Sequence, residues 1–106
     1  MDKWDNLTTE SLLEALLALK NKTEAKKFLR DLLTHQEIIE FGMRWKTAQM
    51  LNDKVPYVRI VNETGLSSTT IARVSQWLNK GKGGYRLMLN RLASTHHHPL
   101  SAKRSV

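Results

Sequence analysis

Two short amphipathic stretches meet at a single glycine between Pro56 and Leu78, and no other feature limits the fold so sharply. Pro56 suits the first position of a helix, where its missing N–H would have had no partner. The stretch that follows runs to about Thr64, and Gly65 stands where a left-handed residue ends a helix. Ser67 or Ser68 then caps a second helix that continues through Thr70, Ile71, Val74 and Leu78. Ile60, Leu66, Ile71 and Val74 fall where two helices joined by so tight a turn pack on each other. Val61 is the misfit, because closely crossing helices usually place a small residue there; a wider crossing angle is expected.

The rest of the chain reads as short helices too. Leu12, Leu13, Leu16, Leu17 and Leu19 form a broad apolar stripe from about Thr9 to Lys20. Thr23 is the expected cap of a second helix, about 24–33, with Phe28, Leu29, Leu32 and Leu33 inward. Thr34 and Glu37 have the spacing of a capping box, in which hydroxyl and carboxylate satisfy each other's orphan amides. Ile38, Phe41, Trp45, Ala48 and Leu51 carry that third helix, the longest, to about Asn52. Gly81-Lys82-Gly83-Gly84 breaks the chain before a last helix from Tyr85 to about Ala93. No run of β-branched residues alternates long enough for a strand. The expected fold is all-α: a short-helix bundle with a helix-turn-helix at about 56–79. Residues 1–93 form its one domain and 94–106 a disordered basic tail.

Charge points to the partner. Residues 1–53 carry eight Lys/Arg and nine Asp/Glu, a net of −1, whereas residues 54–106 carry nine Lys/Arg and only Glu63, a net of +8. With a pI near 10.0, this is the footprint of a protein that binds a polyanion. Double-stranded DNA is the leading candidate, since a helix-turn-helix offers the N-terminal residues of its second helix to the major groove. Those residues are Ser67, Ser68, Thr69, Thr70 and Ala72, whose hydroxyls and methyls suit base edges. Arg59, Arg73, Lys80 and Lys82 surround them and suit phosphates. An anionic membrane fits less well, because no long basic amphipathic helix occurs in that half. No apolar run is long enough to span a bilayer, and the polar, acidic start, Met1 to Asn6, is unlike a signal peptide. A cytoplasmic protein is expected.

Other constellations take bland readings. His96-His97-His98 lacks carboxylate or Cys partners, and no metal site is expected there. The Gly81–Gly84 stretch lacks the spacing and preceding strand of a phosphate-binding loop. Asp31, Glu37 and Glu40 lie beside Lys or Arg on solvated faces. Trp4, Trp45 and Trp77 stand more than 30 residues apart, which suggests no aromatic platform for single-stranded nucleic acid. No pair of groups with a catalytic role can be named, so no enzyme is expected.

Several blocks then occur together and in order: Leu33-Thr34 with Glu37, Gly42-Met43-Arg44, Met50-Leu51, Glu63-Thr64-Gly65, and Ser68-Thr69-Thr70-Ile71-Ala72-Arg73-Val74. With them the chain resembles the Trp repressor superfamily over about residues 10–92, and more closely its YerC/YecD branch. The resemblance implies an intertwined homodimer whose N-terminal helices share one core. It also implies a DNA-binding transcriptional regulator, repressor-like, reading two half-sites about one helical turn apart. In the Trp repressor two arginines sandwich the indole of the corepressor, and Arg44 and Arg73 match them. Val74 and Trp77, however, replace a glycine and a serine of that pocket. Val74 would crowd it and Trp77 would fill it with its own indole, so no cofactor is expected and the effector, L-tryptophan included, stays open. The alternatives to DNA readout are a protein-interaction module and an RNA-associated basic helical domain.

Overall fold

The computed structural model describes residues 2–95. It contains six helices and, among the described residues, no strand: α1 (Leu7–Ala18), α2 (Lys22–Leu32), α3 (His35–Asn52), α4 (Tyr57–Thr64), α5 (Ser68–Lys80) and α6 (Gly84–Thr95). The all-α expectation holds, and the helix order is the one expected. Two compact units divide between Ile39 and Glu40.

The first unit holds α1 and α2. Asn6, not a residue near Thr9, starts α1: its side chain accepts from the Thr9 amide at 3.0 Å, and its own amide donates to Thr9 Oγ1 at 2.9 Å. Asn21 likewise caps α2 in place of Thr23, accepting from the Glu24 amide at 2.9 Å. Asn is among the strongest caps, so each helix begins at the first Asn on offer. Neither helix contains a buried residue. Leu7 is 87% and Leu17 86% exposed, and Leu13 is exposed as well, whereas Leu12, Leu16 and Leu19 are half-buried.

The Thr34–Glu37 capping box forms as expected. The Thr34 amide donates to Glu37 Oε1 at 2.9 Å, and the Glu37 amide donates to Thr34 Oγ1 at 3.1 Å.

In the second unit the core is small and centred on the α4–α5 pair. Met50 from α3, Ile60 from α4 and Ile71 from α5 form its buried cluster. Leu51, Val55, Val61 and Leu66 close around it, and Val74 and Leu78 are buried along the same face of α5. Val61 is thus accommodated, half-buried at the edge of the core. Burying a side chain the size of Ile60 or Ile71 stabilises a fold by about 1.5–3 kcal/mol each. The Arg86 side chain of α6 donates to Asn52 Oδ1 at 2.6 Å, tying α6 to the end of α3. α6 begins one residue before the expected Tyr85 and runs two residues past the expected Ala93, so Ser94 and Thr95 are helical. The remainder of the expected tail, with His96, His97 and His98, lies outside the described residues.

Candidate nucleic-acid interface

The turn between α4 and α5 has the geometry its sequence calls for. Pro56 takes the N-cap position of α4 rather than its first turn, with φ −63° and ψ 148°. Gly65 adopts φ +74°, and its amide donates to the Val61 carbonyl at 2.9 Å. Thr64 is buried; its hydroxyl donates to the Ile60 carbonyl at 2.7 Å and accepts from the Leu66 amide at 3.2 Å. One hydroxyl therefore ties the last turn of α4 to the start of the link. Ser67 caps α5: its Oγ accepts from the Thr70 amide and donates to Thr70 Oγ1, both at 3.1 Å.

That cap divides the residues expected to face bases. The Ser67 and Thr70 hydroxyls are engaged with each other, and Thr70 is half-buried. Ser68, Thr69, Ala72 and Arg73 are exposed. The buried face of α5 is Ile71, Val74 and Leu78. At helical spacing, Thr69, Arg73, Gln76 and Lys80 run in one line along the opposite side. Gln76 is not among the residues expected from the sequence, although steps of four, three and four residues join it to that line. It is exposed, and a Gln amide is the natural bidentate partner of adenine.

Two of the expected phosphate-contacting cations, Arg73 and Lys80, stand in this line. Lys80 closes the last turn of α5, and Lys82 is exposed in the link to α6. Arg59 on α4 is exposed, and its Nε donates to Glu63 Oε2 at 2.7 Å. The Arg59 guanidinium holds the Glu63 carboxyl below its ordinary value of 4.5, with a small further pull from Lys46. From residue 54 to 95 Glu63 is the sole acid against seven Lys/Arg, a net of +6 on the described part of the basic half.

The two arginines of the expected effector site are placed differently. Arg44 on α3 donates through Nη2 to Glu40 Oε2 at 3.0 Å, and its guanidinium lies 5.8 Å from the Phe41 ring centroid. Its Nε is buried without a hydrogen-bond partner. Arg73 is exposed on the outer line of α5. Neither arginine lines the groove beside α5. That groove, of about 530 Å³, is lined by Trp45, Trp77, Gly81, Lys82, Gly84, Tyr85 and Met88. Trp45 stacks on Tyr85, with ring centroids 6.3 Å apart and planes 21° from parallel. Burial pushes the Tyr85 hydroxyl above its usual 10, and the Arg44 charge pulls weakly the other way. Trp45 and Trp77, 32 residues apart in the sequence, thus line one groove. The groove draws on α3, α5, the link after α5 and α6, so no local sequence pattern marks it. Gly81 allows that close turn: a Cβ there would stand 2.5 Å from the Trp77 carbonyl oxygen.

Among the described residues no cluster of His, Asp or Glu could hold a metal ion. No described helix is long and apolar enough to cross a membrane.

A glycine-hinged helix pair with a capped, outward-facing second helix defines a helix-turn-helix. The Trp repressor protein family model matches residues 7–93, and the chain belongs to that family. It is 36% identical over 95 residues to the uncharacterized protein YerC of Bacillus subtilis, covering 90% of this chain and 91% of YerC. A TrpR-like protein from Eubacterium eligens superposes with a TM-score of 0.81 at 38% identity, over 85% of this chain and 93% of that one. A candidate Trp repressor from Staphylococcus aureus gives a TM-score of 0.80 at 33% identity, over 85% and 90% of the two chains.

Proposed function

We propose that this protein is a sequence-specific double-stranded DNA-binding transcriptional regulator, repressor-like, that acts in the cytoplasm as a helix-turn-helix homodimer. One observation carries the reading. The outer line of α5 presents Thr69, Arg73, Gln76 and Lys80 opposite the buried Ile71, Val74 and Leu78, in the half of the chain that holds the excess positive charge. Ser68, Thr69, Ala72 and Gln76 read base edges in the major groove. Arg59, Arg73, Lys80 and Lys82 contact phosphates and set register. Ser67 and Thr70 act one step back, by fixing the start of α5. Membership of the Trp repressor family supports the regulatory role.

The homodimer is supported by apolar surface that one chain leaves open. Leu7, Leu13, Leu17, Ile39, Phe41 and Leu87 are exposed, and large exposed apolar area marks an interaction surface. Two copies would present two recognition helices to half-sites about one helical turn apart. L-tryptophan is not required by this reading. Arg44 is bonded to Glu40, and Val74 is buried in the core rather than leaving a gap beside Arg73.

The test is retention of fragmented genomic DNA of the source organism at low and moderate salt, followed by sequencing. A few enriched sites sharing an inverted repeat are expected. Uniform, salt-labile retention would reduce the protein to a non-specific binder. Retention of structured RNA in preference to duplex would overturn the DNA reading.

A further inference from the structure

The acid-poor half of the chain keeps one carboxylate, Glu63, and it lies within the helix-turn-helix itself. A negative charge at a DNA-facing surface repels phosphate, so its presence needs an account. Its partner supplies one. Arg59 and Glu63 are one turn apart on α4, and the bond between them uses Nε of the guanidinium at 2.7 Å. The two terminal nitrogens, Nη1 and Nη2, make no hydrogen bond among the described residues. Arg59 is 68% exposed, and a free arginine at such a position would sample many rotamers. Anchored at Nε, it keeps an end-on fork of donors, which matches two oxygens of one phosphate.

We propose that Glu63 is a positioning residue for DNA binding: it holds Arg59 with its terminal nitrogens free to grip a backbone phosphate. This rests on the DNA-binding reading above and adds to it a role for the one acid in the basic half. The depressed titration of the Glu63 carboxyl is consistent with this, because it keeps the anchor charged at any physiological pH.

The sign of the effect separates this role from plain electrostatics. If Glu63 only repels DNA, removing its charge strengthens binding whatever replaces it. If it positions Arg59, Glu63→Ala weakens binding even though a repelling charge has gone. Glu63→Gln, whose side-chain oxygen still accepts from Nε, restores binding to the wild-type level or better.

The experiment measures duplex affinity against salt for the full chain and four variants: Glu63→Ala, Glu63→Gln, Arg59→Ala, and Arg59→Ala with Glu63→Ala. Circular dichroism checks that each variant keeps the wild-type helix content at the assay temperature. Glu63→Ala is expected to lose about three- to tenfold in affinity and up to about one unit of salt slope, as for one lost phosphate contact. It is expected to have no further weakening effect once Arg59 is already Ala. Glu63→Ala binding as tightly as wild type or tighter, or Glu63→Gln and Glu63→Ala behaving alike, overturns the positioning role and leaves the DNA reading intact. A wild-type protein that retains no duplex at low salt overturns both.

Discussion

Gly65 sets the angle at which α5 leaves α4, and the cost of replacing it can be worked from the backbone alone. Its φ is +74° and its ψ 3°, and a Cβ built there would have no heavy atom within 4 Å. Gly65→Ala therefore creates no clash. The left-handed conformation costs an L-residue about 1–2 kcal/mol. Part of that returns, about 0.4–1 kcal/mol, because alanine has fewer unfolded conformations to lose. The net loss expected is about 1 kcal/mol, or roughly 4–8 °C in Tm for a domain of this size. Gly65→Asn should lose less, since Asn tolerates left-handed backbone. The assay is thermal unfolding followed by circular dichroism, at one fixed protein concentration because dimerisation would shift Tm by mass action. Well below the transition, Gly65→Ala should bind DNA within about twofold of wild type, because α5 and its cap are untouched. A loss above about 3 kcal/mol would show that packed atoms crowd the site. No loss at all would show that the residue does not hold a positive φ.

Three further outcomes follow from the same geometry. Lys82→Ala should weaken binding to all duplexes alike and lower the salt slope by about 0.9, the value for one phosphate contact; altered preference among sequences would make Lys82 a reading residue instead. Thr34→Ala and Glu37→Ala should each destabilise by about 1 kcal/mol in denaturant titrations. Because they form one reciprocal box, the double variant should fall short of the sum, and full additivity would mean that the two bonds act independently. Glu63 has its carboxyl depressed below 4.5 in the folded state, so its stabilising effect is complete above that value and is lost as pH falls through the depressed one. The Tm advantage of wild type over Glu63→Gln should therefore be present at pH 7 and close on acidification. A gap that stays constant down to pH 3 would remove Arg59 as the cause.

Much of the fold was legible because local signals agreed with one another. Thr34 and Glu37, Pro56, Gly65 and Ser67 are short-range devices, and each marks a boundary by satisfying or removing backbone donors within four residues. The first two helix starts were harder to place. Asn6 and Asn21 stand outside the apolar stripes from which those helices were read, so the stripes set the starts two residues late. The candidate site was legible as a segment rather than as a surface. Ser67 and Thr70 sit among the hydroxyls of α5, and only their mutual bond shows that the cap occupies them. Gln76 carries no charge and follows no motif, so nothing but its spacing from Thr69, Arg73 and Lys80, opposite Ile71, Val74 and Leu78, marks it. The groove of Trp45, Trp77 and Tyr85 depends on tertiary packing between residues 32 and 40 positions apart in pairs of the chain, which no local pattern encodes.

The central claim is that the outer face of α5 reads DNA sequence, and site selection from randomised duplexes tests it most directly. Wild type, Thr69→Ala and Gln76→Ala would be run in parallel at one moderate salt concentration, and the enriched sites sequenced. Wild type should select an inverted repeat with half-sites about one helical turn apart. Each variant should keep the spacing and lose preference at a small number of positions in each half-site, since one side chain reaches only one or two base pairs. Identical selected sites for all three proteins, or no enrichment by wild type, would contradict the assignment of α5 as the reading helix.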